Sequence, residues 1–121
     1  MTLEVYTSHI GCDDPDKLDV SLRTGDRAFA PKWWMLKELR NNRLTWKEFT
    51  EHYTELMRES YRGNRGTWES VLGRKRVVLV CYCTNVARCH RLVLARILGK
   101  LGAVYRAENA WFGGKAWEDD A

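Results

Sequence analysis

Three cysteines, a histidine and two arginines fall within eleven positions: Cys81, Cys83, Arg88, Cys89, His90 and Arg91. The thiolate is the nucleophilic form of cysteine, and neighbouring cations lower the pKa at which it forms. The preceding run, 77–81, is apolar and β-branched, whereas the residues after Arg88 carry a helical pattern. The cluster therefore sits where a strand gives way to a helix. Unpaired N–H groups in a helix's first turn attract anions and favour a thiolate. On position, Cys89 is the candidate nucleophile, with His90 beside it for acid–base work. Arg91 and Arg88 are candidate anion anchors, and Cys81 and Cys83 supporting thiols. The competing reading is structural, because a cysteine that ends a buried strand commonly serves as a small core residue.

Two other chemistries are weighed by spacing. Cys81, Cys83, Cys89 and His90 are all zinc-ligand types. A Cys-x-Cys pair on an extended strand turns its side chains to opposite faces, and adjacent Cys89 and His90 are poorly placed to share one ion. Structural zinc sites favour pairs two to four residues apart. No metal and no other cofactor is expected on this spacing. The phosphatase loop, cysteine and arginine separated by five residues, is absent: Cys83 to Arg88 is one residue too short and Cys81 to Arg88 one too long.

The elements that must hold these residues are legible from pattern. Residues 3–7 and 18–22 alternate apolar and polar, as half-buried strands do. Pro31 suits the first turn of a helix reaching about Asn41. Thr45 and Glu48 form a capping-box pair ahead of Trp46, Phe49, Tyr53, Leu56 and Met57 at helical spacing. The sequence Gly63-Asn64-Arg65-Gly66 ends that helix, and a helical turn over 67–72 follows. The run 77–81 suits a central strand covered on both faces. Residues 88–101 form an amphipathic helix stopped by Gly102, and 103–107 a last strand. Trp33 and Trp34 point about 100° apart on a helix, so packing is expected for one of them. A strand–helix–strand unit closes the chain, as a right-handed parallel crossover requires. The expectation is a single three-layer α/β domain over residues 1–121, a small, mostly parallel sheet flanked by helices, with 109–121 a loosely docked tail. In such sheets ligands bind beyond the carboxyl ends of the strands. Arg23, Ser8 and Thr7 end strands at that edge and join the candidate site, Arg23 and Ser8 as anion ligands and Thr7 as support.

The 121 residues carry a net charge of +4, with arginine outnumbering lysine thirteen to seven. Arginine's planar fork suits phosphate. Arg58, Arg62, Arg65, Arg74 and Arg76 cluster between positions 58 and 76, which is either a solvated face or a footprint for a polyanion. No run approaches the roughly 18 apolar residues of a membrane span. No secretion signal opens the chain, so no membrane partner and a cytoplasmic location with free thiols are expected.

At Tyr6-Thr7-Ser8, Arg23, Pro31-Lys32-Trp33-Trp34, the 46–53 helix and Val80-Cys81-Tyr82 leading to Cys89-His90-Arg91, the chain resembles the domain-of-unknown-function 488 family, in particular its shorter branch. Cys83 is a departure, since the family more often has an acidic residue there. The resemblance implies a three-layer α/β fold with a site near Arg23 and Cys89-His90-Arg91. Three functions follow as expectations. The first is an enzyme acting on a nucleotide, a nucleic-acid base or another phosphorylated group at the Arg/Cys/His site. The second is a non-catalytic nucleic-acid-binding module, with the basic face as footprint and Trp33 or Trp34 stacking on bases. The third is a zinc- or redox-sensing thiol site at Cys81, Cys83 and Cys89.

Overall fold

A computed structural model of the protein describes residues 2–83 and 88–109. The elements run β1 (Glu4–His9), β2 (Lys17–Asp19), α1 (Trp33–Arg40), α2 (Trp46–Gly63), α3 (Arg65–Leu72), β3 (Arg76–Cys81), α4 (His90–Lys100) and β4 (Val104–Glu108). The four strands form one sheet in the order β2-β3-β1-β4, and every pairing is parallel. The fold is the small α/β domain that the pattern predicts. Because all strands point one way, His9, Asp19, Cys81 and Glu108 end at a common edge. The crossover from β3 through α4 to β4 passes over β1, which lies between those two strands.

The unbroken apolar run in β3 is explained by its position. With β2 on one side and β1 on the other, it is buried on both faces, and Val77 to Cys81 are at most 1% exposed. Val77, Leu79 and Cys81 join Val5 in the main core, together with Phe49, Tyr53 and Met57 of α2 and Leu94 and Leu98 of α4. Val78 and Val80 alternate to the opposite face. The capping box of α2 forms as its spacing predicts. The Glu48 amide donates to Thr45 Oγ1 at 3.1 Å, and the Thr45 amide donates to Glu48 Oε1 at 2.9 Å. Trp68 of α3 is fully buried against the rings of Phe29 and Tyr61. Its indole N–H donates to Ser60 Oγ at 3.0 Å. Burying a side chain of this size contributes about 2–3 kcal/mol, provided its polar atom is satisfied as here.

Several boundaries differ from the pattern. The second strand stops at Asp19 rather than running to Leu22. There the Asp19 carboxylate takes over from the ladder, accepting the Ser21 amide and the Thr24 hydroxyl and folding the chain into a turn. The helix expected from Pro31 starts at Trp33. Trp33 and Trp34 are 64% and 46% exposed, so neither packs in the core. The break between α2 and α3 is a single residue, Asn64, which caps both helices. The tail reading falls almost entirely on 110–121, outside the described residues.

Candidate functional site

The carboxyl edge of the sheet gathers the sulfurs. β3 ends at Cys81, the chain bends at Tyr82, and Cys83 has left the strand. The pleat that would have turned Cys83 away from Cys81 therefore no longer applies. One ligand-type atom from each of Cys81, Cys83, Cys89 and His90 lies within 4.8 Å of all the others. The expectation that the Cys-x-Cys sulfurs splay apart is corrected by this bend. Cys81 Sγ and Cys89 Sγ approach to 2.8 Å as free thiols, one hydrogen-bonded to the other.

Arg91, in the first turn of α4, is 1% exposed and turns inward onto this cluster. Its Nη1 donates to Cys81 Sγ at 3.1 Å, Cys89 Sγ at 3.4 Å and the Cys83 carbonyl at 3.0 Å. Its other edge makes a two-pronged pair with Glu108 at the end of β4, Nε to Oε1 at 3.1 Å and Nη2 to Oε2 at 2.9 Å. Burial opposes the guanidinium charge, but the Glu108 carboxylate and the Cys89 and Cys81 sulfurs outweigh it and raise the Arg91 pKa above its usual value. The thiols respond unequally. Hydrogen bonds from Cys83 and Cys89 hold the Cys81 thiol far below the usual range, helped by the Arg91 charge. The Cys81 hydrogen bond pushes Cys83 up to about 11, with burial adding to it. Cys89 is pushed well up by Cys81 and Cys83 and by burial. One negative charge, shared among the three thiols, is thus favoured in a nest of donors.

His90 opens α4 and is 4% exposed. Its Nε2 lies 2.7 Å from the Val20 carbonyl. A carbonyl can only accept, so Nε2 carries the proton. Burial holds the imidazole pKa below its usual value, which keeps the ring neutral. Nδ1 then presents a lone pair, and it is buried with no hydrogen-bond partner among the described residues.

Beside the thiols a cleft of about 1070 Å³ opens, lined by Arg23, Trp33, Lys37, Arg40 and Arg88, with Cys81, Tyr82, Cys83 and His90 along its floor. No carboxylate is among the described residues that line it. Arg23 is presented by the turn that ends β2. The Ser21 amide donates to Asp19 Oδ1, the Asp26 amide to the Asp19 carbonyl at 2.9 Å, and the Gly25 amide to the Ser21 carbonyl at 3.0 Å. A Cβ on Gly25 would sit 2.5 Å from the Asp19 carbonyl and 2.6 Å from the Ser21 amide, so the turn closes only on glycine. The Arg23 guanidinium lies 5.9 Å from the centroid of the Tyr82 ring, whose hydroxyl is 3.1 Å from Thr24 Oγ1. On α1, Trp33, Lys37 and Arg40 recur at helical spacing along one face. Lys37 Nζ stands 5.2 Å from the Trp33 ring centroid.

The structure thus divides the residues singled out from sequence. Arg23, Arg88, Cys81, Cys83 and His90 meet at the cleft. Cys89 is fully buried beneath it, and Arg91 is held by the protein's own Glu108. Ser8 and Thr7 lie elsewhere, with Ser8 donating to the Asn109 carbonyl at 2.9 Å and Thr7 sharing a 2.7 Å hydrogen bond with Tyr105. Lys37, Arg40 and Glu108 were not singled out from sequence. The 33/37/40 spacing could have revealed the first two. Glu108 is one residue past the predicted strand end.

The basic stretch 58–76 is in large part internally engaged. Arg76 pairs with Asp14 at 2.8 Å and Asp16 at 3.1 Å, Arg58 pairs with Glu55 at 2.8 Å, and Arg65 stacks over Tyr61 at 4.2 Å. No helix among the described residues is long and apolar enough to cross a membrane.

No curated protein and no solved structure matches the chain. Residues 16–102 match the family model described as DUF488-N3a, the active DUF488-N3 subclade, a span that takes in the β2 turn, α1, the thiol cluster and α4. With well over half of its length matched, the chain belongs to the DUF488 family.

Proposed function

We propose that the protein is an enzyme acting on a nucleotide or another phosphorylated ligand held in the basic cleft. The observation that carries this reading is the convergence of Arg23, Lys37, Arg40 and Arg88 on one concave surface, with no carboxylate among its described lining residues. Four cations around a cavity of this size raise the local concentration of an anion and stabilise charge that develops on it. Trp33 supports a ligand with a planar group, since its exposed indole stands at the rim, where a base can stack. The family's description as an active subclade is in keeping with catalysis. Cys89 is the poorer nucleophile for such a reaction, because it is buried and its thiol is pushed up. The groups offered to a bound ligand are the four cations and the floor formed by Cys83, Tyr82 and His90.

Calorimetric titration with inorganic phosphate and with nucleoside mono-, di- and triphosphates tests this, repeated over a salt series. Binding of at least one nucleotide is expected, weakening as salt rises and falling about tenfold or more in Arg23→Ala, the loss of one charge-assisted contact. Trp33→Ala should weaken nucleotides but not phosphate. Equal affinity in the wild type and in an Arg23→Ala/Lys37→Ala variant would sink the reading.

A further inference from the structure

We infer that Cys81, Cys83, Cys89 and His90 form a binding site for one soft divalent cation, of the zinc type. Three thiols and one imidazole are the donor set of a closed structural zinc site. The three sulfurs and one ring nitrogen of His90 already lie within 4.8 Å of one another. Tetrahedral ligands at zinc–sulfur lengths stand about 3.8 Å apart, so the Cys81 and Cys89 sulfurs, now at 2.8 Å, move outward to admit the ion.

The second and independent observation is His90. Its Nε2 proton is committed to the Val20 carbonyl, and its Nδ1 lone pair is buried without a partner among the described residues. An unmet acceptor in the interior is costly. A metal at Nδ1 meets it, and the Val20 carbonyl then acts as the outer partner that fixes ring orientation and tautomer for ligation. Arg91 completes the surroundings, with N–H groups aimed at two of the three sulfurs. Three thiolates on a divalent ion carry one net negative charge, and the guanidinium lies against it. Binding displaces to solvent the protons that the thiols still hold, and no bond other than S–H is broken. Four protein ligands leave no open position, so the ion staples the end of β3 to the start of α4 and thereby fixes the floor of the anion cleft.

The inference does not depend on what fills the cleft, and its test contains no phosphate. The full chain, reduced anaerobically and stripped with a chelator, is titrated with Co²⁺ and then Zn²⁺. One Co²⁺ per chain is expected, with the thiolate charge-transfer band and the intense visible bands of a tetrahedral site, and Zn²⁺ should bleach both. Zinc should also protect three of the four cysteines from alkylation. Cys83, half-buried at the cleft, is the variant least able to disturb the fold. Cys83→Ala should weaken the metal by at least the 10–100-fold that loss of an outer partner already costs. His90→Ala should do the same, and Cys12→Ser should leave stoichiometry and spectrum unchanged. A reduced wild-type protein that gives no charge-transfer band, or a spectrum unaltered in Cys83→Ala, would overturn the site. Recovery of a Cys81–Cys89 disulfide, with no metal uptake once it is reduced, would overturn it in favour of a redox pair. Loss of nucleotide binding in a metal-replete protein would count against the cleft alone.

Discussion

At the scale of single residues, Arg76 shows charge used by being paired. Arg76 begins β3, lies over the Tyr6 ring at 4.6 Å and bonds Asp14 and Asp16. It ties the loop before β2 to the sheet, which makes it a fastener more than a member of a polyanion footprint. The Arg76 hydrogen bond holds the Asp14 carboxyl below its ordinary 3.8. A depressed carboxylate pKa contributes stability that is complete above the unfolded value and is lost as pH falls through the folded one. Asp14→Asn should therefore lower stability at pH 7, by at most about 1 kcal/mol for a pair still partly open to solvent. The gap from wild type should close in acid, below the ordinary carboxyl value of 3.8. Urea unfolding at neutral and acidic pH checks this. A deficit that is the same at both pH values would mean that packing, not charge, is what the substitution removes.

At the scale of elements, the short turn after β2 controls the cleft. Asp19 folds the chain back, Gly25 lets it pass, and Arg23 is lifted to the rim between them. Gly25→Ala forces a Cβ against backbone atoms that cannot swing aside. It should destabilise the protein by about 1–3 kcal/mol, as overpacking typically does, and it should also weaken phosphate binding by displacing Arg23. Thermal unfolding paired with a phosphate titration reads both, and intact stability in Gly25→Ala would contradict the close approach. The same turn shows where the sequence was legible. The capping box of α2, the apolar run of β3 and the helix after Arg88 were readable because each depends on neighbours within a few residues. The end of β2 was not, because an Asp19 side chain replaces ladder bonds, and apolar–polar alternation continues through Leu22 regardless. The Trp33–Trp34 pair, of which one is expected to pack, differs for a related reason. An aromatic at helical spacing reads as core, and only the assembled structure shows that both are exposed. The convergence of Cys83 with Cys81 was hidden by a single bend at Tyr82, which cancels the alternation on which the opposite expectation rested.

At the scale of the whole molecule, the question is what holds the parallel edge closed. Sheet pairing brings β1 between β3 and β4, so no ladder bond joins the thiol-bearing strand to the last one. The link is Arg91, which spans from the Cys81 and Cys89 sulfurs to the Glu108 carboxylate across the end of β1. A hydrogen bond between Thr7 and Tyr105 reinforces the β1–β4 side. Arg91 is fully buried and Glu108 about a quarter exposed, so replacing the carboxylate by a neutral amide removes the carboxylate charge that faces the guanidinium and leaves it, among the described residues, the Cys81 and Cys89 sulfurs, the Cys83 carbonyl and one amide oxygen. Glu108→Gln should then cost about 2–4 kcal/mol, near the lower side of what breaking a fully buried pair costs. Replacing both partners by apolar residues, Arg91→Met with Glu108→Leu, should cost less than Glu108→Gln alone, since the thiols can take up a proton and no buried guanidinium is left without its carboxylate. Denaturant unfolding of the wild type and the two variants in chelator, where no metal adds to stability, measures both effects. If the double variant is the less stable of the two, the pair is a net stabiliser rather than a mutual obligation. Arg91 would then hold the edge by attraction, and its burial would need no second role in surrounding the thiols.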